Sequence, residues 1–319
     1  LARKAEFDEE TLIAANEESV FLAKAEQPVI QEKQTQLAER MRRQEKDWNV
    51  YGGPISSFGS VETKGDQVGI GYATVGALAG FDTILSPSRN VGVGSVLQYR
   101  KQWGHAHDGG STLDNDLIHG SIYGTAILRE LPALSFDGIV GSAYSWDALT
   151  RKAGVNRSLE AKAHTNETIF DFLFDIEYQI SKENISRFPR SLSLVPFASV
   201  QYIHDRIGGY TEEGAGNFSL QAETQNLESL TTVLGLWLAY LLMKPTYTLR
   251  TEAVAFTPFN VTTIPTVVFT EEAGKNSLLL GLDLLATFWD GWQAEANGNY
   301  QLNSLFYDVS FYLGIGKEF

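Results

Sequence analysis

The 319-residue chain contains no cysteine. That excludes a disulfide scaffold, a thiolate zinc site and a thiol nucleophile. Basic residues are in deficit, with 25 Lys and Arg against 39 Asp and Glu and a net charge of −14. A nucleic-acid binder needs a basic stripe to displace phosphate counterions, so no nucleic-acid partner is expected. Long apolar runs are also missing. The longest, residues 233–243 with its glycine allowed, has 11 residues, about half of the roughly 20 that a spanning helix requires. A transmembrane barrel remains open, because its strands need only about 9–11 residues and alternate in and out. No phosphate-binding loop, EF-hand loop or zinc-protease helix motif occurs in the sequence, so neither cofactor nor metal is expected.

What is present divides near Trp48. Residues 1–47 hold 19 charged residues and no glycine, whereas all 29 glycines lie in residues 48–319. Residues 30–46 read as a helix, with Ile30, Leu37 and Met41 on a thin apolar stripe and Lys33, Arg40, Arg42, Arg43 and Lys46 over much of the rest. So thin a stripe suits a polar surrounding better than a large apolar core. The upstream residues 1–27 read as mobile or weakly helical. The chain starts at Leu1, and residues 1–47 lack an apolar signal core. It therefore reads as the carboxy-terminal portion of a longer protein.

From Trp48 onward the period is two. Phe170, Phe172, Phe174, Ile176 and Tyr178 oppose Asp171, Asp175, Glu177 and Gln179. Val91, Val93, Leu97, Tyr99 and Trp103 oppose Gly92, Gly94, Gln98, Arg100 and Gln102. At the carboxy terminus Tyr307, Val309, Phe311, Leu313, Ile315 and Phe319 share a face that only Lys317 interrupts. Long alternating strands with acids on the minor face point to a barrel with an apolar exterior and a polar lumen. The segmentation predicts twelve strands, at 48–61, 73–85, 90–104, 115–129, 134–148, 164–180, 191–206, 222–242, 246–257, 275–289, 292–302 and 305–319. Asn297-Gly298 would suit a hairpin, but the alternation runs through it in phase and favours strand. Short turns at one end and long polar loops at the other (62–72, 105–114, 149–163, 208–221 and 258–274) fit an outer-membrane barrel. A soluble β-sandwich or propeller is the plainer alternative, with shorter strands and a more charged exposed face expected. Trp48, Trp103, Trp146, Trp289 and Trp292 fall near strand ends, where interfacial girdles belong.

Residues 48–319 resemble the autotransporter β-domain, the translocator of type V secretion. Gly76-Ala77-Leu78-Ala79-Gly80-Phe81-Asp82 resembles that family's second strand, Val91-Gly92-Val93-Gly94 its third, and Gly120-Ser121-Ile122-Tyr123-Gly124 its Leu-Tyr-Gly strand. Leu194-Val195-Pro196-Phe197-Ala198 resembles its Pro-Tyr-Ala motif. The most specific stretch is Tyr210-Thr211-Glu212-Glu213-Gly214-Ala215-Gly216 with Ser229-Leu230 and Leu234-Gly235 after it; Leu280-Gly281-Leu282 and Phe319 complete the set. The resemblance implies an all-β fold, a 12-stranded antiparallel transmembrane barrel with an N-terminal α-helix in the pore. It implies residues 1–47 as passenger remnant and linker, with the pore helix at about 30–46, and residues 48–319 as the barrel domain. It implies a place in the bacterial outer membrane, with the passenger side extracellular. The expected partners are outer-membrane lipid, the barrel-assembly machinery and the chain's own N-terminal passenger, and the barrel is expected to be a monomer. The barrel would be a conduit and anchor without bond chemistry.

Charge supports the pore helix independently. Lys33, Arg40, Arg42, Arg43 and Lys46 could face the lumen acids Asp82, Asp171, Asp175, Glu177, Asp283 and Glu295, with each pair weak in a wet lumen and the network carrying the seat. Phe311, Leu313, Ile315 and Phe319 form the expected assembly signal, although Lys317 stands where the family usually has an aromatic residue. No Asn-Asn junction for cleavage within the pore occurs. Two other readings stay open: a stand-alone porin-like channel, and a barrel hydrolase using His119 beside Ser121 or the His105-Ala106-His107-Asp108 loop. For the hydrolase, no acid that would orient His119 is evident in the sequence.

Overall fold

The computed structural model describes residues 29–31, 33–42, 47–62, 69–85, 88, 90–182, 185–189, 192–241, 259–272, 275–287, 291–302 and 306–319. Among these residues, twelve long strands close one antiparallel barrel. They are β1 (Trp48–Val61), β2 (Ile70–Ile84), β3 (Val91–Ala106), β4 (Ser111–Ile127), β5 (Leu134–Ala153), β6 (Leu159–Tyr178), β7 (Leu192–Ile207), β10 (Gln225–Leu241), β11 (Phe259–Glu272), β12 (Lys275–Thr287), β13 (Trp292–Leu302) and β14 (Phe306–Glu318). A two-stranded ribbon, β8 (Tyr210–Thr211) and β9 (Gln221–Ala222), sits between β7 and β10 in the chain. Each long strand pairs with its neighbours in sequence, and β1 closes the ring on β14. At that seam Phe319 N donates to Trp48 O at 2.8 Å. Closure of β1 on β14 removes the two terminal edges that an open sheet would present.

Alternation sets the two faces of the wall. On β6 the exposed row is Phe170, Phe172, Phe174, Ile176 and Tyr178, and the buried row is Glu167, Ile169, Asp171, Leu173, Asp175 and Glu177. On β14 the outward row runs from Tyr307 to Phe319. Twelve residue steps of about 3.3 Å, tilted by about 40°, cover roughly 30 Å, the thickness of a hydrocarbon core. Trp48 and Trp292 face outward at the end that carries Phe319, and Trp103 and Trp146 face outward toward the other end. Trp289 lies outside the described residues.

The near end is defined by Trp48 and Phe319, and the far end is opposite. Several segments expected as far-end loops are strand. Leu149↔Ala163, Arg151↔Ala161 and Ala153↔Leu159 continue the β5–β6 ladder, and His105↔Thr112 continues β3–β4. Ladder hydrogen bonds belong to the backbone, so polar side chains beyond the membrane do not end them. Phe259–Glu272, also expected as a loop, is strand β11 and pairs with both neighbours. Its many β-branched residues favour extended backbone, while Thr262-Thr263 and Pro265 hide the alternation. The strand expected at 246–257 lies outside the described residues. Asn297-Gly298 is strand, as its unbroken phase indicates, with Gly298 opposite Phe311.

Helix α1, described over residues 29–31 and 33–42, lies inside the barrel. Its Val29, Ile30, Leu37, Ala38 and Met41 join a core with lumen-facing Tyr51, Ile55, Leu78, Val96, Tyr123, Ile127, Ile139, Leu173 and Tyr312. The lumen therefore holds an apolar patch, which the thin stripe of the helix did not lead one to expect. Residues 1–28, Arg43 and Lys46 lie outside the described residues.

Candidate functional site: the helix-filled lumen

Polar contacts radiate from α1 to strands around the ring. Lys33 pairs with Glu295 of β13 and lies over the rings of Tyr51 and Tyr312, 4.9 and 5.4 Å from their centroids. Arg40 pairs with Asp82 of β2, and Glu318 stands 3.8 Å from its Nε. Arg42 donates to Pro132 O and Ser135 Oγ, both at 3.2 Å. Two neutral residues complete the ring. Gln31 Nε2 donates to Asp175 Oδ2 at 2.9 Å, and Gln34 Nε2 to the carbonyls of Gly138 and Gly124 at 2.9 and 3.2 Å.

Asp82 is a hub for these contacts. Besides Arg40 it accepts from Tyr123 Oη at 3.0 Å and Asn49 Nδ2 at 3.3 Å. Tyr51 and Tyr123 share a hydroxyl hydrogen bond of 3.0 Å. Glycines make room for both rings. Tyr51 is registered with Gly80 and Tyr123 with Gly94, and a Cβ on either glycine would fall within 2.5 Å of the opposing ring. Leu37 seats on Gly92 in the same way. Ring, glycine and carboxylate thus form one surface on which the helix rests.

The environment differs from a wet pore. Lys33, Arg40, Asp82 and Glu295 are all buried, so each pair is desolvated and losing one partner would strand a charge. The remaining expected acids, Asp171, Asp175, Glu177 and Asp283, are lumen-facing and buried. Asp171 holds His119, and Asp283 accepts from Asn297. Glu177 is buried two residues along β6 from the registered pair Asp137↔Asp175. Sequence reasoning missed Tyr51, Tyr123 and Tyr312, and the lumen acids Asp137, Asp147, Glu167, Asp205 and Asp308. The acids shared the period-two signal already in use. Tyr51 and Tyr123 could have been found only by pairing strands and seeing glycine opposite each ring.

The polarity of α1 is fixed by what its two ends touch. Arg42 meets the near-end β4–β5 turn, and Ile84 N donates to Asp47 O at 3.0 Å. Val29 and Ile30 lie at mid-barrel, beside Ile55, Ser57, Thr74, Leu78, Gln98 and Arg100. Read backward from Trp48, the chain enters at the near end and climbs toward the far end. The thirteen residue steps of α1, at about 1.5 Å each, advance it by roughly 20 Å.

His119 is lumen-facing, and Asp171, which the sequence did not connect with it, lies 2.8 Å from its Nε2. Ser121 Oγ is 3.2 Å from that same nitrogen, while Gln98 Nε2 is 2.9 Å from Nδ1. With Gln98 donating to Nδ1, Nε2 carries the hydrogen and gives it to Asp171. A nitrogen so occupied does not take a proton from Ser121, and a hydrolytic triad would need the acid on the opposite nitrogen. In the far-end loop, His107 Nε2 meets Ser60 Oγ at 3.0 Å and Asp108 binds Arg157. His164 and His204 point outward. On β14, Phe311, Leu313, Ile315 and Phe319 are exposed on the outer face, with Lys317 Nζ 5.1 Å from the Trp292 ring centroid and 5.4 Å from that of Phe319.

Comparison with known proteins gives a consistent picture. The family described as Autotransporter beta-domain matches residues 50–299. The translocator domain of autotransporter NalP from Neisseria meningitidis superposes with a TM-score of 0.70 at 13% identity, covering 93% of this chain and 97% of that one. The beta domain of the Bordetella autotransporter BrkA superposes with a TM-score of 0.66 at 13% identity, covering 86% of this chain and all (100%) of that one. An extracellular serine protease of Serratia marcescens is 24% identical over 185 residues, which span 57% of this chain but only 16% of that protein.

Proposed function

The chain belongs to the autotransporter β-domain family and is an outer-membrane translocator barrel, and from that premise we propose that it passes an upstream passenger outward through its own lumen and then closes the lumen with α1. The observation that carries this reading is the polarity of the helix. An even number of antiparallel strands puts Trp48 and Phe319 at one end, and a translocator inserted from within keeps that end in the periplasm. Helix α1, followed from Arg42 back to Val29, then points toward the outer mouth.

In this reading residues 1–47 join the passenger to the barrel, and residues 48–319 form the membrane anchor. Lys33 on Glu295 and Arg40 on Asp82 seat the helix, with Gln31, Gln34 and Arg42 as further pins. The outward rows meet lipid. Strand β14, through Phe311, Leu313, Ile315 and Phe319, offers the barrel-assembly machinery its recognition surface. One barrel acts alone, and its own residues make and break no covalent bond. A porin-like channel would leave its lumen open, whereas here α1 fills the near half.

The test places an epitope tag before Leu1, with the chain expressed behind a secretion signal. Antibody and protease access to the tag are then measured on intact cells. Surface exposure of the tag is expected. A tag reached only after the outer membrane is breached, with heat-modifiable gel migration showing a folded barrel, would overturn the reading.

A further inference from the structure

Beyond Ile207 the barrel wall continues on one side only. The β5–β6 hairpin extends to Ala153 and Leu159, while β7 pairs with β6 no farther than Glu167↔Ile207. This leaves the far edge of β6 without a barrel neighbour. The segment from β8 to β9 covers it. Gly208 N donates to Asn166 O at 2.7 Å, and Lys162 and Glu213 exchange two backbone hydrogen bonds of 2.8 Å.

The segment then crosses to the lumen side. Odd-numbered residues of β5 and β6 face inward without a break in register, which places Arg151, Ala153 and Ala161 on the inner face. Ala215 packs against Ala153 and Ala161. Gly214 makes the crossing with φ +94°, 2.6 Å from Glu160 O at the position of a Cβ. Arg151 clasps the segment. Its Nε and Nη2 donate to the two oxygens of Glu212 at 2.9 and 2.6 Å, and Nη2 also donates to Phe218 O at 2.9 Å. Glu212 Oε2 in addition accepts from Leu220 N at 2.9 Å. A planar guanidinium on a carboxylate in two parallel bonds fixes orientation as well as distance.

We propose that Arg151 and Glu212 are positioning residues for translocation: they hold residues 210–222 as a strap against the inner wall of the outer mouth, so that the exit stays clear for an emerging chain. The inference rests on the outward delivery proposed above. Freed of the clasp, a segment hinged at Gly208-Gly209 and lying on the lumen side falls into the path of the passenger. Glu212 sits within the stretch Tyr210–Gly216 that marks the family resemblance, and its clasp gives that stretch a physical reason.

The test uses the full chain with the N-terminal epitope tag. Glu212→Gln keeps the shape but weakens the charged bonds, and Arg151→Lys keeps the charge but loses the fork. Both should leave heat-modifiable migration unchanged, raise protease cleavage within 210–222 by about tenfold or more, and slow surface appearance of the tag several-fold. Lys162→Cys with Glu213→Cys replaces the clasp by a covalent one. The two residues form a close hydrogen-bonded antiparallel pair, about 5.5 Å between Cα atoms, within disulfide range. The chain has no other cysteine to compete. Added to Glu212→Gln and oxidised, the disulfide should restore both strap protection and delivery, and reductant should abolish the rescue. Delivery unchanged by a released strap would overturn the proposal. So would a strap that is not released, or a delivery defect that the disulfide does not correct. If the tag never surfaces in the unaltered chain, the delivery reading fails, while cleavage within the strap still reports whether Arg151 and Glu212 hold it.

Discussion

Arg40 of the pore helix and Asp82 of β2 form an ion pair in which both side chains are buried, with Tyr123 and Asn49 donating to the same carboxylate. Removing the charge from one partner leaves the other stranded, at a cost of about 3–5 kcal/mol. Asp82→Asn should therefore loosen the helix rather than the barrel. Single-channel recordings of the refolded chain should show higher and more frequent conductance than the unaltered protein, with heat-modifiable migration retained. Identical recordings would mean that the pair does not seat the helix.

The apolar side of the seat is tested at Gly92. A Cβ there would lie 2.9 Å from two carbons of the Leu37 side chain, which is fully buried. Gly92→Val should expel the helix and raise conductance. Leu37→Ala on the same background should lower it again, because the truncated side chain makes room for the new one. Two contacting residues should thus depart from additivity by about 0.5–3 kcal/mol.

The wall itself depends on the fit of Gly94 and Tyr123. The three atoms nearest a Cβ at Gly94 all belong to the Tyr123 ring, the closest at 2.2 Å. Gly94→Ala forces the ring aside and should cost about 1–3 kcal/mol, as overpacking does. The temperature at which folded migration is lost should fall. In a Tyr123→Leu background, which by itself loses the hydrogen bond to Asp82, Gly94→Ala should cost much less. An undiminished cost in that background would place the strain in the backbone.

Strands β6 and β11 show how far the sequence could be read. From Glu167 to Tyr178 the exposed row of β6 and its acids alternate without exception, so the faces of the wall were legible residue by residue. Strand β11 was not, because Thr262-Thr263 and Pro265 carry no alternation and the pairing that makes it strand comes from β10 and β12. The far-end hairpins were read as loops for a related reason: polarity marks where lipid ends, not where backbone pairing ends. Lys33 and Arg40 were named from charge, and Asp82 and Glu295 from charge and the lumen side of the alternation, but their pairing and burial depend on the height and rotation of the helix. Those are set by Leu37 on Gly92 and by Gln34 on two carbonyls, contacts that no local pattern encodes.

His119 and Ser121 allow a direct check on chemistry. Their contact is through Nε2, which Asp171 also engages. A fluorophosphonate probe should leave the folded chain unlabelled, and Ser121→Ala should deliver the N-terminal tag at the parent rate. Labelling lost in Ser121→Ala would show a reactive serine and overturn the assignment of the barrel as non-catalytic.

Lys317 occupies the outer face of β14 two residues from the chain end, with its ammonium beside the rings of Trp292 and Phe319. At that height a lysine can extend its charge to the interface while its stem lies along aromatic surface. The depth dependence of lipid-facing charge then predicts two unlike outcomes on one strand. Lys317→Phe should change folding stability by less than about 1 kcal/mol, because a lysine near the interface costs only about 0–1. Leu313→Lys, at the middle of the outward row, should cost about 2–4 kcal/mol. Urea titrations of the chain folded into phospholipid vesicles measure both. Equal effects at the two positions would show that the outward row of β14 does not cross the bilayer as its spacing requires. A large loss at Lys317 alone would show that the lysine holds the seam between Trp48 and Phe319 rather than resting at the interface.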